Sequence, residues 1–170
     1  MVVVITDTGL FDDPRLTAMG LLAETCAGLQ AKFLPALTAA GLSMTDFDVL
    51  IRLARSPGQQ LRMTDLATQT TLSTSGITRV VDRMESRGLA RRQACPSDRR
   101  GAFAVLTDAG RELIGGFVHT HVADIDRWLT GLLTPAQLDA LLEALRIVRD
   151  EVRPGATAGV AHPAAMGKND

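Results

Sequence analysis

Apolar side chains recur at three- and four-residue intervals over most of the chain, and that period predicts helices. The first runs from Arg15 to Ala39, with Met19, Leu22, Cys26, Leu29, Phe33, Leu34 and Leu37 on its apolar side. Pro35, having no amide to donate, is expected to bend or interrupt it, and Gly41 closes it. Ser43 and Asp46 have capping-box spacing, and Phe47, Leu50, Ile51 and Ala54 mark the inward face of a second helix that ends at Ser56-Pro57-Gly58. Thr64 is the expected cap of a short third helix carrying Leu66 and Ala67. After Thr70-Thr71-Leu72, Ser73 caps a fourth helix that runs to about Arg87 and stops at Gly88.

The period then changes. Two short β-prone segments, Leu89 to Ala94 and Ala102 to Leu106, flank Pro96-Ser97-Asp98-Arg99-Arg100-Gly101, which predicts a hairpin with an arginine-bearing tip. Thr107 reopens a helix to about Leu132, with Leu113, Phe117, His121, Ile125, Trp128 and Leu132 on one stripe and a weak point at Gly115-Gly116. Thr134, Pro135 and Gln137 open a last helix whose apolar positions are Leu138, Leu141, Leu142, Leu145 and Val148. Residues 1–14 read as an irregular arm. From Pro154 to Asp170 the chain is rich in alanine, glycine and proline with little to bury, so a mobile tail is expected.

Composition narrows the class. With 170 residues, 46% hydrophobic and 22% charged, the chain is a globular protein rather than a disordered or fibrous one. No export signal and no membrane-spanning run are legible, so the expected address is the cytoplasm, with no membrane partner. Cys26 and Cys95 match no paired metal spacing and read as reduced thiols. His119 and His121 diverge on their helix, and no metal is expected.

The formal net charge of −1 conceals an asymmetry. Between Ser73 and Gly101 seven arginines face three acids, a local charge of +4 that leaves −5 for the rest. A positive stripe on an otherwise acidic molecule fits a nucleic-acid binder with one contact face. Two short helices joined by a tight turn and followed by a basic hairpin form a winged helix-turn-helix. The amino end of the fourth helix supplies small hydroxylated residues, Ser73, Thr74, Ser75 and Thr78, with Arg79, as entry into a major groove requires. Ile77, Val80, Val81 and Met84 anchor the opposite face. Arg79, Arg83 and Arg87 recur every four residues along one flank, where Arg79 reaches bases or phosphates and Arg83 phosphates; for Arg87 an ion pair is the expected role. Of the adjacent Arg91 and Arg92, only one can face a duplex.

Residues 42–113 resemble the MarR family of bacterial transcriptional regulators. The likeness is carried by Met44-Thr45-Asp46-Phe47-Asp48-Val49-Leu50, Arg62-Met63-Thr64-Asp65-Leu66-Ala67, the run Thr78 to Leu89, and Asp98-Arg99-Arg100-Gly101-Ala102-Phe103 on to Gly110. The resemblance implies a mainly α fold with a small β-hairpin wing: a winged helix-turn-helix lobe over residues 42–107, dimerised by helices within 15–41 and 108–153. It implies that Asp98 and Arg100 pair so that Arg100 enters a minor groove, with Arg99 on a phosphate. It further implies a homodimer on double-stranded DNA at a pseudo-palindromic operator, acting as a repressor, with release by a small aromatic or amphipathic effector held between the dimer helices and the lobe. Phe33, Phe47 and His121 are candidates to line that cleft, though each fits plain core equally well.

Apolar stripes outside the central block exceed what one chain can cover, which independently favours a homodimer. One branch of the family senses oxidants through a cysteine held by tyrosine hydroxyls. This chain has no tyrosine, so Cys26 reads as a core residue and Cys95, beside the wing, as the more exposed thiol. No nucleophile elbow, phosphate-cradling glycine loop or paired-carboxylate spacing is present, so neither catalysis nor a cofactor is expected. The alternative to a DNA-binding regulator is a winged-helix module that binds proteins and lacks DNA affinity.

Overall fold

A computed structural model describes residues 11–70, 72–95 and 98–157, with the side chains of 98–100 left outside that description. Six helices and three strands follow in the order α1 (Pro14–Ala39), α2 (Met44–Arg55), β1 (Gln60–Arg62), α3 (Met63–Thr70), α4 (Thr74–Ser86), β2 (Ala90–Cys95), β3 (Asp98–Leu106), α5 (Asp108–Trp128) and α6 (Pro135–Val152). The fold is mainly helical, with one small antiparallel sheet ordered β1-β3-β2.

The helix ends follow the local chemistry of the chain. Ser43 and Asp46 exchange side chain-to-backbone hydrogen bonds at 3.1 Å each, completing a capping box at the start of α2. Thr134 and Gln137 do the same for α6. Gly41 and Gly88 adopt φ of 67° and 69°, and the amides of Leu42 and Leu89 reach back to the carbonyls of Leu37 and Met84. Both α1 and α4 therefore close in the left-handed turn that glycine tolerates best.

Several expectations need correction. α1 continues through Pro35 without interruption. Pro35 is exposed, so the carbonyl that loses an amide partner can take one from water. Thr64 lies inside α3 rather than capping it, because Gln60–Arg62 forms a strand absent from the sequence reading; it pairs with Phe103, Ala104 and Val105. The hairpin strands run further than expected, β3 starting at Asp98, with a register shift between Ala94 and Cys95. α5 ends at Trp128 and is followed by a 3-10 turn at Thr130–Leu132. The two cysteines exchange their expected environments: Cys26 is exposed and Cys95 buried. Residues 154–157, placed in the tail by composition, lie against α3, while 158–170, the arm's residues 1–10 and the hairpin's Pro96 and Ser97 fall outside the described residues.

One core runs through the lobe. Leu37 and Leu42 from the first segment meet Val49, Leu50 and Leu53 of α2, Leu66 of α3, Ile77, Val81 and Met84 of α4, Ala104 and Leu106 of β3, and Ile114 and Phe117 of α5. The joint between hairpin and α5 is close. Thr107 caps α5 through the Gly110 amide at 3.0 Å, and its hydroxyl donates to the Gly88 carbonyl. A Cβ at Gly110 would stand 2.0 Å from the Leu89 carbonyl oxygen, so only glycine fits there.

The outer helices are different. No residue of α6 is buried, and its Leu142, Leu145, Ile147, Val148 and Val152 are 39–74% exposed. Leu16, Met19, Leu21, Leu22 and Leu34 of α1 are 43–63% exposed. Among the described residues, no single helix is long and apolar enough to cross a membrane.

Among the described residues the lobe contains one strongly buried carboxylate, Asp46, with 6% of its side chain exposed. Burial pushes the Asp46 carboxyl up, but hydrogen bonds from the Arg83 guanidinium and from Ser43 outweigh it and hold the group below the ordinary aspartate range. Asp46→Ala is expected to cost about 2–4 kcal/mol in urea unfolding at neutral pH. A folded carboxyl that is more acidic than in the unfolded chain stabilises above the ordinary carboxylate range. That contribution is lost as pH falls through the depressed value, so wild type and variant should converge in acid.

Candidate nucleic-acid interface

α4 divides sharply between its faces. Ile77, Val80, Val81 and Met84 are buried, whereas Ser73, Thr74, Ser75 and Arg79 are exposed and Thr78 is half-buried. Ser73 caps the helix by accepting from the Gly76 amide at 3.0 Å, and its hydroxyl lies 3.1 Å from that of Ser75. The Thr78 hydroxyl donates to the Thr74 carbonyl at 2.8 Å. These short side chains thus stay close to the helix, leaving its positive amino end uncovered. Arg79 makes no ion pair among the described residues.

Arg83 has a different environment from Arg79. Its Nη2 and Nε donate to Asp46 Oδ1 at 2.5 and 3.2 Å, 37 positions back along the chain. Arg87 Nη1 stands 3.8 Å from the other Asp46 oxygen. The flank that spacing marks for DNA is therefore shared: Arg79 is open to solvent, while Arg83 and Arg87 turn toward α2.

The hairpin is fastened to the same helix. Arg92 pairs with Asp82, donates to Glu85 Oε2 at 2.9 Å and to the Thr78 carbonyl at 3.0 Å, and its amide donates to Glu85 Oε1 at 2.5 Å. Arg91 is exposed and, among the described residues, bonds only sideways, to Gln93 at 2.9 Å. Of the adjacent pair, Arg92 thus braces β2 on α4 and Arg91 faces out. Asp98, Arg99 and Arg100 begin β3, at the far end of the hairpin from α5; their side chains lie outside the described residues.

Between the start of α3, α4 and β3 lies a cleft of about 380 Å³ lined by Arg62, Thr64, Thr74, Thr78, Arg92 and Gly101. Arg62, whose guanidinium lies 5.5 Å from the Phe103 ring centroid, and Thr64 join the polar surface beside α4. Their place beside α4 is not legible in the sequence, because it depends on β1.

The residues expected around a ligand do converge. His121 of α5 lies 4.8 Å, ring centroid to centroid, from both Phe33 of α1 and Phe47 of α2, and 5.3 Å from Phe117. Its Nδ1 is buried without a hydrogen-bond partner among the described residues. Burial lowers the His121 pKa, with Asp124 opposing the shift. A groove of about 470 Å³ runs beside this cluster between α1 and α5, lined by Ala36, Ala40, Leu113, Gly116 and Phe117 among others. No cluster of three metal-ligating side chains occurs among the described residues.

A helix-turn-helix with an exposed hydroxyl-rich amino end, braced against an arginine-bearing hairpin, defines a winged helix-turn-helix protein. A sequence model of the MarR family matches residues 40–101. The chain is 33% identical over 108 residues to the HTH-type transcriptional regulator MhqR of Bacillus subtilis, spanning 64% of this chain and 72% of that one. Among solved structures it is similar to AbsC, a MarR family transcriptional regulator from Streptomyces coelicolor, with TM-score 0.79 and 37% identity over 84% of this chain and 96% of that one. It is likewise similar to Sco3205, a MarR family regulator from the same organism solved in complex with DNA, with TM-score 0.76 and 34% identity over 82% and 88%. The chain belongs to the MarR family of transcriptional regulators, which are not enzymes.

The His121 environment has a measurable consequence. A histidine harder to protonate in the folded state destabilises as pH drops, because the unfolded chain takes up the proton first. His121→Phe should flatten the fall in melting temperature between about pH 7 and pH 5 relative to wild type. An equal fall in both proteins would contradict burial of a neutral ring.

Proposed function

We propose that the chain is a DNA-binding repressor that reads a pseudo-palindromic operator as a homodimer. The observation that carries this reading is the division of α4: its apolar face is consumed by the core, while Ser73, Thr74, Ser75 and Arg79 stay uncovered beside the braced hairpin. Such an end offers amide and hydroxyl donors to phosphates and short side chains to base edges. In this reading Ser73, Thr74, Ser75, Thr78 and Arg79 meet the major groove. Asp98 orients Arg100 into the minor groove, and Arg99 takes a phosphate, as the family resemblance implies. Arg83 serves chiefly to hold α4 through Asp46, and a phosphate contact from its exposed edge is secondary.

The dimer reading is supported by the exposed apolar faces of α1 and α6, which are too extensive to leave in water. A two-fold pair of lobes would address half-sites one helical turn apart, about 34–36 Å. The effector reading is supported by the Phe33, Phe47 and His121 cluster at the junction of α1, α2 and α5, where a small aromatic ligand would act by favouring one lobe spacing over another. The expected location is the cytoplasm.

Selection of bound fragments from the source genome with purified protein should enrich a palindrome, with affinity in the nanomolar range that falls steeply with salt. Arg100→Ala should weaken binding by about 1–3 kcal/mol. Recovery of no sequence above random DNA, with no salt dependence, would favour a protein-interaction module instead. Leu145→Asp should convert the dimer to a monomer in sedimentation and abolish operator binding at the same concentrations; a variant that stays dimeric would remove α6 from the interface.

A further inference from the structure

α3 is only eight residues long, and its last turn contains no basic residue. Its final carbonyls lack helical partners and carry the negative end of the helix dipole. One of them, Gln69, accepts a hydrogen bond from Arg153 Nη2 at 2.7 Å, from 84 positions further along the chain. Arg153 is the residue on which α6 ends, its own amide donating to the Arg149 carbonyl at 2.7 Å. A single guanidinium therefore joins the end of the last helix to the end of the first helix of the helix-turn-helix.

The contact continues over the next four residues. The Ala156 amide donates to the Arg153 carbonyl at 3.0 Å, turning the chain back. The Thr157 hydroxyl then donates to Gln69 Oε1 at 3.2 Å and accepts from Arg52 Nη1 at 3.5 Å. Arg52 is itself aimed by Asp48, 2.8 Å from its Nε. Gly155 passes so close to α3 that a Cβ there would come within 2.6 Å of Thr68 Cγ2. Arg153 Nε is buried with no partner among the described residues, so the guanidinium is inserted rather than laid on the surface.

What Arg153 grips is the last turn of α3, just ahead of α4. Four positions separate Gln69 from Ser73, and the intervening turn is held by the Leu72 amide on the Ala67 carbonyl and the Thr70 hydroxyl on the Leu66 carbonyl. We infer that Arg153 is a positioning residue for DNA reading. By closing the carboxyl end of α3 it fixes the helix-turn-helix relative to α6, and so sets the separation at which the two α4 helices of a dimer meet their half-sites. The half-site consequence rests on the proposed function; the hold on the turn does not.

Full-length Arg153→Ala, Arg153→Lys and Thr157→Val proteins, each confirmed to keep the wild-type oligomeric state, test the inference by hydrogen exchange and operator binding. In Arg153→Ala, amides over residues 72–79 should exchange about two- to fivefold faster, the worth of one charge at a helix end, with α5 unchanged. Arg153→Lys should restore most of the protection, and Thr157→Val should show a smaller effect of the same sign. On operators whose half-site spacing is lengthened or shortened by one base pair, Arg153→Ala should lose preference for the native spacing while keeping the wild-type salt dependence. Unchanged exchange over 72–79 would overturn the hold on the turn. Faster exchange with spacing preference intact would reduce Arg153 to a stabilising contact and overturn its positioning role. If wild type itself prefers no DNA, the proposed function fails, and the positioning role with it, whereas the exchange comparison still decides whether Arg153 holds the turn.

Discussion

A carboxylate almost entirely removed from water ties α4 to the rest of the lobe. Asp46 lies in the first turn of α2, where its side chain completes the capping box with Ser43 and simultaneously receives Arg83 from α4. Burial alone would raise its pKa, and the convergence of these donors outweighs that and holds the carboxyl below the ordinary aspartate range. The pair thus fixes two features together: where α2 begins and which way the flank of α4 turns. With Arg83 committed, Arg79 is left as the cation at the open end of the helix, and with Arg92 braced on Asp82, Glu85 and Thr78 the hairpin shares the same reference frame. The outward surface follows from what the inward contacts have already used.

The apolar surface is likewise divided between two tasks. α2, α3, α4, the sheet and the first half of α5 bury their hydrophobic faces within the chain. α6 buries none of its residues, and α1 buries only Leu37 near its end. The aromatic cluster of Phe33, Phe47, Phe117 and His121 lies at the boundary between these regions, where α1, α2 and α5 meet. A buried ring nitrogen of His121 stands at that junction with no hydrogen-bond partner among the described residues.

Local signals made most of the architecture readable. Ser43 with Asp46, Ser73, Thr107, and Thr134 with Gln137 mark four helix starts because a cap needs only its own neighbours, and Gly41 and Gly88 mark two ends for the same reason. What was not legible shares a different property. β1 is three residues long, too short to show alternation, and exists because β3 supplies its partners more than forty positions later. Arg83 has the spacing of a phosphate contact, yet its counter-ion is set by tertiary structure. Cys26 has helical core spacing but faces outward on the isolated chain, whereas Cys95 is buried. Thr157 sits where composition indicates a loose end and Arg153 just before it, and nothing near them in sequence announces Gln69. The exposure of the α4 hydroxyls and Arg79 followed from the periodicity of that helix; the place of Arg62 and Thr64 beside it became visible only with the sheet.

The missing side chain at Gly110 determines how motion is shared between helix and hairpin. With 2.0 Å between a notional methyl and the Leu89 oxygen, the first turn of α5 and the base of β2 are in backbone contact and leave no room for a hinge. The nine residues of β3 then act as a stiff arm extending about 27 Å from that joint, so one degree of tilt in α5 sweeps the hairpin tip by about half an ångström. A tilt of about three degrees would carry the start of β3 about 1.4 Å, half the length of a hydrogen bond.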